Sequence, residues 1–255
     1  MDNAPRRHGM QRPLHLLQII AGVIKFLGML FFWSSVFPGY ILLYLDGHHD
    51  CLAELIVFSV LIFIGMMSLG TGWAIVTFRE NGDYSKTGDL CTYCRRRTKD
   101  DSKHCKACNK CVEGFDHHCK WLNMCVGRRN YRGFLCYVIS AVTTMTLAMI
   151  SGIVILAKWW KQLEAHNVYF RVGPILLCAV MLIGLPAIVH LLGFHIMLNI
   201  KGLTTYEYIL QKRERQSQTP FGKQGNAIAK EKKKKKKKKK SNQNDGQEGN
   251  QVELE

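Results

Sequence analysis

The 255-residue sequence predicts an all-α polytopic membrane protein, with four transmembrane helices and a small cysteine-rich domain of short β-hairpins between the second and third. Three observations carry this. Four long stretches contain no Asp, Glu, Lys or Arg; seven of the ten cysteines fall between Cys91 and Cys125; and Lys and Arg gather in the segments between alternate stretches.

The uncharged stretches are Phe26–Leu45 (20 residues), Leu55–Phe78 (24), Gly133–Ala157 (25) and Val172–Ile200 (29). A helix crossing a hydrocarbon layer of ~30 Å needs roughly 20 apolar residues, so each run is long enough. Soluble cores rarely hold four all-apolar helices of that length, because globular helices usually run about 8–20 residues. The expected layout is a basic head at 1–25, spans at 26–45, 52–78, 133–157 and 172–200, and a cysteine-rich domain at 79–132. A short segment at 201–215 and a lysine-rich tail at 216–255 complete it. Residues 1–13 are expected to be loose, with Lys25 snorkelling to the headgroups. Gly184 and Pro186 predict a kink in the fourth span.

Orientation follows from the basic residues. The head has 4, the cysteine-rich segment 13 and the tail 15, against 3 in 158–171 and none in 46–51. Cytoplasmic segments carry the excess of Lys and Arg, which puts head, cysteine-rich domain and tail in the cytosol. The net charge is +16, but nine units come from Lys232–Lys240, a run that cannot bury a core and suits a solvated tail or an anionic lipid surface. The remaining +7 is ordinary for a positive-inside membrane protein, and a nucleic-acid partner is excluded.

Cytosolic thiols stay reduced, so the cysteines point to metal or catalysis and not to disulfides. They run Cys91-x2-Cys94, then His104-Cys105, Cys108, Cys111, Asp116-His117-His118-Cys119 and Cys125. Tetrahedral zinc takes four such ligands, and short Cys-x2-Cys pairs present two from one turn. Two closed sites consume six cysteines and two histidines, leaving one Cys and one His over. A metal-braced loop with a spare thiol beside a spare imidazole has the parts of a nucleophile and its base. A segment of some 54 residues with few large apolar side chains needs such staples to fold.

The run from Cys91 to Tyr131, including Trp121, Asn123, Gly127 and Asn130, resembles the DHHC cysteine-rich domain of protein S-acyltransferases (palmitoyltransferases). Thr204-Thr205-Tyr206-Glu207 is similar to that family's TTxE motif. Lys120 and the His104–Cys111 stretch are most like the subgroup of members one and eleven. The resemblance implies that Cys91, Cys94, His104 and Cys111 hold one structural Zn2+ and Cys105, Cys108, His118 and Cys125 a second. Spacing alone is equally compatible with a sequential split.

By the same resemblance Cys119 is the nucleophile, His117 its base and Asp116 the orienting carboxylate, supported by Thr205 and Glu207. The implied co-substrate is palmitoyl-coenzyme A, with Arg128, Arg129 and Arg132 as candidates for its phosphates. The implied acceptors are membrane-proximal cysteines of cytosolic proteins, and the implied compartment is endoplasmic reticulum or Golgi, with endosome or plasma membrane as further options. The sequence departs from the family pattern at Asn81-Gly82-Asp83, Lys99, Asp101, Lys120 and Met124, none of them a ligand or triad position. The competing readings are a zinc-stabilised adaptor without turnover, which has no use for the spare thiol, and a RING-like ligase, whose ligand spacing normally includes longer gaps.

Overall fold

The computed structural model describes residues 4–218. Helix α1 (Leu16–Phe31) runs through a π-helical turn at Phe32–Val36 into α2 (Phe37–Leu45), and a 3-10 turn at His49–Cys51 leads into α3 (Leu52–Phe78). Six short strands follow: β1 (Asp89–Leu90), β2 (Arg97–Thr98), β3 (Lys103–Cys105), β4 (Lys110–Val112), β5 (His117–Cys119) and β6 (Met124–Val126). They pair as three antiparallel hairpins, β1–β2, β3–β4 and β5–β6. Then come α4 (Tyr131–Glu164), α5 (Tyr169–Ile200) and α6 (Thr205–Gln218).

Among the described residues, four helical stretches are long and apolar enough to cross a membrane: Leu16–Leu45, His49–Phe78, Tyr131–Glu164 and Tyr169–Ile200. Large apolar side chains such as Phe63, Ile64, Leu182 and Ile183 point outward, more than half exposed. So much uncovered apolar surface belongs in lipid, which makes this an integral membrane protein. Close approach of backbones positions the soluble domain. A Cβ on Gly72 of α3 would sit 2.7 Å from the backbone nitrogen of Tyr137, so α3 and α4 touch directly there. Ser68 and Ser140 bridge the same pair of helices at 2.7 Å.

Several helix ends differ from the expected ones. The first helix begins at Leu16 and not at Phe26, which places Lys25 inside it. The third continues to Glu164 and not Ala157, because Lys158 finds a partner in Glu54 of α3, as does the Trp159 indole at 3.1 Å. The fourth starts at Tyr169 and is one continuous helix through Pro174 and Pro186. The segment expected at 201–215 is helical to Gln218, and the lysine-rich run lies outside the described residues. By itself α6 has no buried residue.

From Arg6 to Pro13 the chain is not loose. The Arg6 amide donates to Cys108 O at 2.8 Å and the Gly9 amide to Thr77 O at 3.0 Å. Asn123, held at φ +53°, donates to Gly9 O and Pro13 O. A Cβ on Gly9 would lie 2.3 Å from Leu122 O, a contact no L side chain tolerates. Gly9→Val is therefore expected to lift the head off the Leu122–Asn123 turn, at a cost of about 1–3 kcal/mol of docking. Faster tryptic cleavage at Arg6 and Arg7 reports it.

Three of the residues that depart from the family pattern, Asp83, Lys99 and Asp101, are paired. Lys99 reaches Glu113 at 2.6 Å, and Asp101 bonds Arg128. Asp83 accepts from Ser102 Oγ (2.6 Å), the Lys99 amide (2.8 Å) and the Ser85 amide (2.9 Å). Burial would raise its pKa, but these donors outweigh that and hold it down to about 2.

Candidate active site and metal centres

The hairpins are the frame on which the ligands sit. In β3–β4, His104 stands opposite Cys111, and in β5–β6, His118 stands opposite Cys125. Directly opposed residues on one face of a hairpin have Cβ atoms about 5 Å apart, close enough to share an ion. The turn after β1 adds Cys91 and Cys94, the Cys91 amide bonding Arg96 O at 2.9 Å. The end of β3 and the following turn add Cys105 and Cys108.

The structure thus gathers Cys91, Cys94, His104 and Cys111 into one group and Cys105, Cys108, His118 and Cys125 into another, with ligand atoms within 4.8 Å of one another in each. Spacing had left a sequential split open; the hairpin register favours the interleaved one. Observed edges are 3.5 Å (Cys94 Sγ–Cys111 Sγ), 3.8 Å (Cys111 Sγ–His104 Nδ1), 3.4 Å (Cys108 Sγ–His118 Nδ1) and 3.7 Å (Cys125 Sγ–His118 Nδ1). A tetrahedron with Zn–S near 2.3 Å and Zn–N near 2.0–2.1 Å has edges of roughly 3.5–3.8 Å, so both clusters fit zinc. The crowded thiols compete for protons in opposite senses. Hydrogen bonds from Cys108 and Cys125 pull the Cys105 thiol down, whereas hydrogen bonds with Cys105 and Cys108 push the Cys125 thiol up. All ten cysteines are free of disulfides.

Strand β5 separates metal from chemistry by its alternation. Successive side chains of a strand point to opposite faces, so His118 turns to the metal cluster while His117 and Cys119 share the other side. His117 Nδ1 lies 2.6 Å from Asp116 Oδ2. Asp116 is almost fully buried and is held by Thr205, whose amide donates to Oδ1 at 2.9 Å and whose hydroxyl donates to Oδ2 at 2.8 Å. Burial disfavours the His117 imidazolium, but hydrogen bonds to Asp116 and then Cys119 outweigh it and push its pKa up to about 9. Burial also opposes the Asp116 carboxylate; the bonds from His117 and Thr205 keep it ionised.

Cys119 packs in a buried cluster with Val76, Leu122, Phe134 and Tyr137, flanked by Leu69 and Trp73. Phe134 stands edge-on to His117 with ring centroids 5.3 Å apart.

The match to known proteins falls on this segment. Residues 84–212, just over half the chain, match the family described as DHHC palmitoyltransferase. The chain belongs to that family. Palmitoyltransferase ZDHHC11 of Homo sapiens is 27% identical over 256 residues, covering 83% of this chain and 61% of that protein. Probable protein S-acyltransferase 20 of Arabidopsis thaliana is 37% identical over 156 residues, covering 56% and 22%. Palmitoyltransferase ZDHHC5-A of Danio rerio is 35% identical over 122 residues, covering 48% and 16%. The chain therefore spans between 16% and 61% of the length of these DHHC relatives.

Other site residues fall differently. His195 of α5, which as an ionisable residue near the cytoplasmic end of the fourth span was a candidate to face the site, is 1% exposed and packs beside His117, with ring centroids 5.5 Å apart. Its Nδ1 lies 3.3 Å from Tyr131 Oη. Only its position inside an apolar span marked it out beforehand. Of the three arginines, Arg129 pairs with Glu113 at 3.3 Å and Arg128 with Asp101. Arg132 is exposed and lines a pocket of about 340 Å³ beside Asp116. Glu207 lies in the first turn of α6.

Proposed function

We propose that this DHHC protein is a protein S-acyltransferase that takes a palmitoyl-class chain from acyl-coenzyme A onto Cys119 and passes it to a cysteine of a second protein. The observation that carries this is the row Thr205–Asp116–His117–Cys119, set on the strand face opposite the metal cluster. His117 takes the thiol proton, while Asp116, oriented by Thr205, fixes the imidazole tautomer and balances the imidazolium. The Cys119 thiolate adds to the thioester carbon; the coenzyme thiolate leaves and takes the proton from His117. An acceptor cysteine then repeats the exchange at the acyl-enzyme, giving ping-pong transfer. Zinc at the two clusters would supply folding energy and a rigid loop, with no part in bond making.

An apolar cavity of about 300 Å³ between α1, α3, α4 and α5 supports a fatty donor, since Leu69 and Trp73 line it and also flank Cys119. Each CH2 held there and not in water is worth about 0.8 kcal/mol. We further propose that Arg132 meets the coenzyme phosphates, that the soluble domain and both ends of the chain face the cytosol, and that the protein works in an endoplasmic reticulum or Golgi membrane. On this reading the lysine run binds anionic lipid. The full chain, purified and mixed with labelled palmitoyl-coenzyme A, is expected to acquire hydroxylamine-sensitive label on the Cys119 peptide and none in Cys119→Ala. Equal labelling of the two overturns the proposal.

A further inference from the structure

Lys25 is a cation in a place where apolar residues would serve packing better. Sequence alone had its side chain snorkelling outward; instead it is partly buried and lines the cavity among the helices. Among the described residues its one hydrogen-bond partner is neutral, Tyr137 Oη at 3.4 Å, with the ammonium 5.4 Å from the ring centroid. An ionisable group inside a membrane span, without a counter-charge, is retained for what it binds and not for stability.

Its place along the cavity shows what that is. Phe32, Ile62 and Met181 line the far end and belong to the deep core cluster, whereas Leu69 and Trp73 line the end beside Cys119. Lys25 precedes Phe32 by about two helical turns, roughly 10 Å, and therefore sits at the Cys119 end. Tyr137, its partner, is 6% exposed and packs in the same cluster as Cys119. The ammonium donates to the phenol oxygen, which leaves the phenol O–H and two ammonium N–H groups with no acceptor among the described residues. These donors stand at the Cys119 end of the cavity, the end at which an acyl chain lying in it would carry its thioester carbonyl.

We infer that Lys25, together with Tyr137, binds the carbonyl oxygen of the acyl donor and neutralises the negative charge that develops on it. The inference rests on Cys119 being the nucleophile. As the Cys119 thiolate forms its bond to the carbonyl carbon, the carbonyl π pair moves onto oxygen, against the ammonium. When that pair returns, the bond to the coenzyme sulfur breaks and the departing thiolate takes the proton from His117. A preorganised cation in a water-poor cavity stabilises such an oxyanion far more than it would in bulk solvent.

The test is single-turnover acylation of the full chain with palmitoyl-coenzyme A. Lys25→Met is expected to slow acyl-enzyme formation at saturating donor by about 100-fold, and Tyr137→Phe, which keeps the ring, by about tenfold. Lys25→Arg is expected to restore most of the rate. Hexadecyl-coenzyme A, a thioether without a carbonyl, is expected to bind wild type and Lys25→Met equally, a separation of transition-state from ground-state effects that a merely structural lysine does not give. If wild type takes no label at Cys119, the S-acyltransferase reading fails. If wild type labels and both Lys25→Met and Tyr137→Phe keep its rate, or Lys25→Met loses the thioether, the carbonyl role of Lys25 is overturned while the S-acyltransferase reading stands.

Discussion

Replacing His117 with alanine is expected to slow acyl-enzyme formation by about 10³-fold while leaving the zinc content unchanged. General-base removal of this kind typically costs 10²–10⁴ in rate. The two effects separate because of the strand. His118 faces the Cys108 and Cys125 sulfurs, and His117, one residue earlier, faces Asp116 and Cys119 on the other side. Removing the His117 imidazole leaves both metal clusters with four ligands each. On the proposed mechanism it also strips Cys119 of the group that takes its proton. Alkylation of Cys119 by iodoacetamide at neutral pH should slow in parallel with acylation, since both need the thiolate. A variant that acylates slowly but alkylates at the wild-type rate would place His117 in donor binding instead. Zinc by elemental analysis provides the control.

The architecture was legible because its determinants are compositional. Uncharged runs declare spans whatever packs against them, and metal ligands declare themselves by residue type and spacing. The interleaving of the two ligand sets was not in the spacing; it depends on hairpin register, His104 opposite Cys111 and His118 opposite Cys125. Helix ends were read short for a related reason. Lys158 looked like a boundary charge, and only Glu54 on a different helix lets the third helix continue past it.

What stayed hidden is what tertiary contact decides. Gly9 and Asn123 lie 114 positions apart in the chain, and nothing local in the head announces that it docks. Lys25 reads as an interfacial anchor until α1 is placed with that residue toward the cavity. Arg128 and Arg129 read as unpaired cations in the sequence, and only the fold brings Asp101 and Glu113 to them. His195 was visible only as an ionisable residue in an apolar helix; its meaning comes from Phe134 and His117 beside it.

Losing one ligand of the second metal cluster should be at least as damaging as losing the nucleophile, and by a different route. The buried core of the cysteine-rich segment around that cluster is Cys105, Cys108, Val112 and Cys125, with Phe115 against it. Three of its four buried members are metal-ligand candidates, so without the ion little apolar packing remains. Structural zinc supplies roughly 10–16 kcal/mol in small domains of this type, more than the whole stability of many domains. Cys125→Ala also removes the residue opposite His118, and β5 carries His117 and Cys119 as well. The expected result is loss of at least one of two zinc ions per chain and of all acylation at Cys119, with the four long helices retained by circular dichroism. Cys91→Ala is expected to lose zinc but keep part of the activity, because Cys91 sits in the turn beyond β1, off the strand that bears Cys119. Cys136→Ala, in α4 and outside both clusters, should keep both ions. Equal activity in Cys125→Ala and wild type would mean that the loop stands without its metal, and the division of labour between the two faces of β5 would then be wrong.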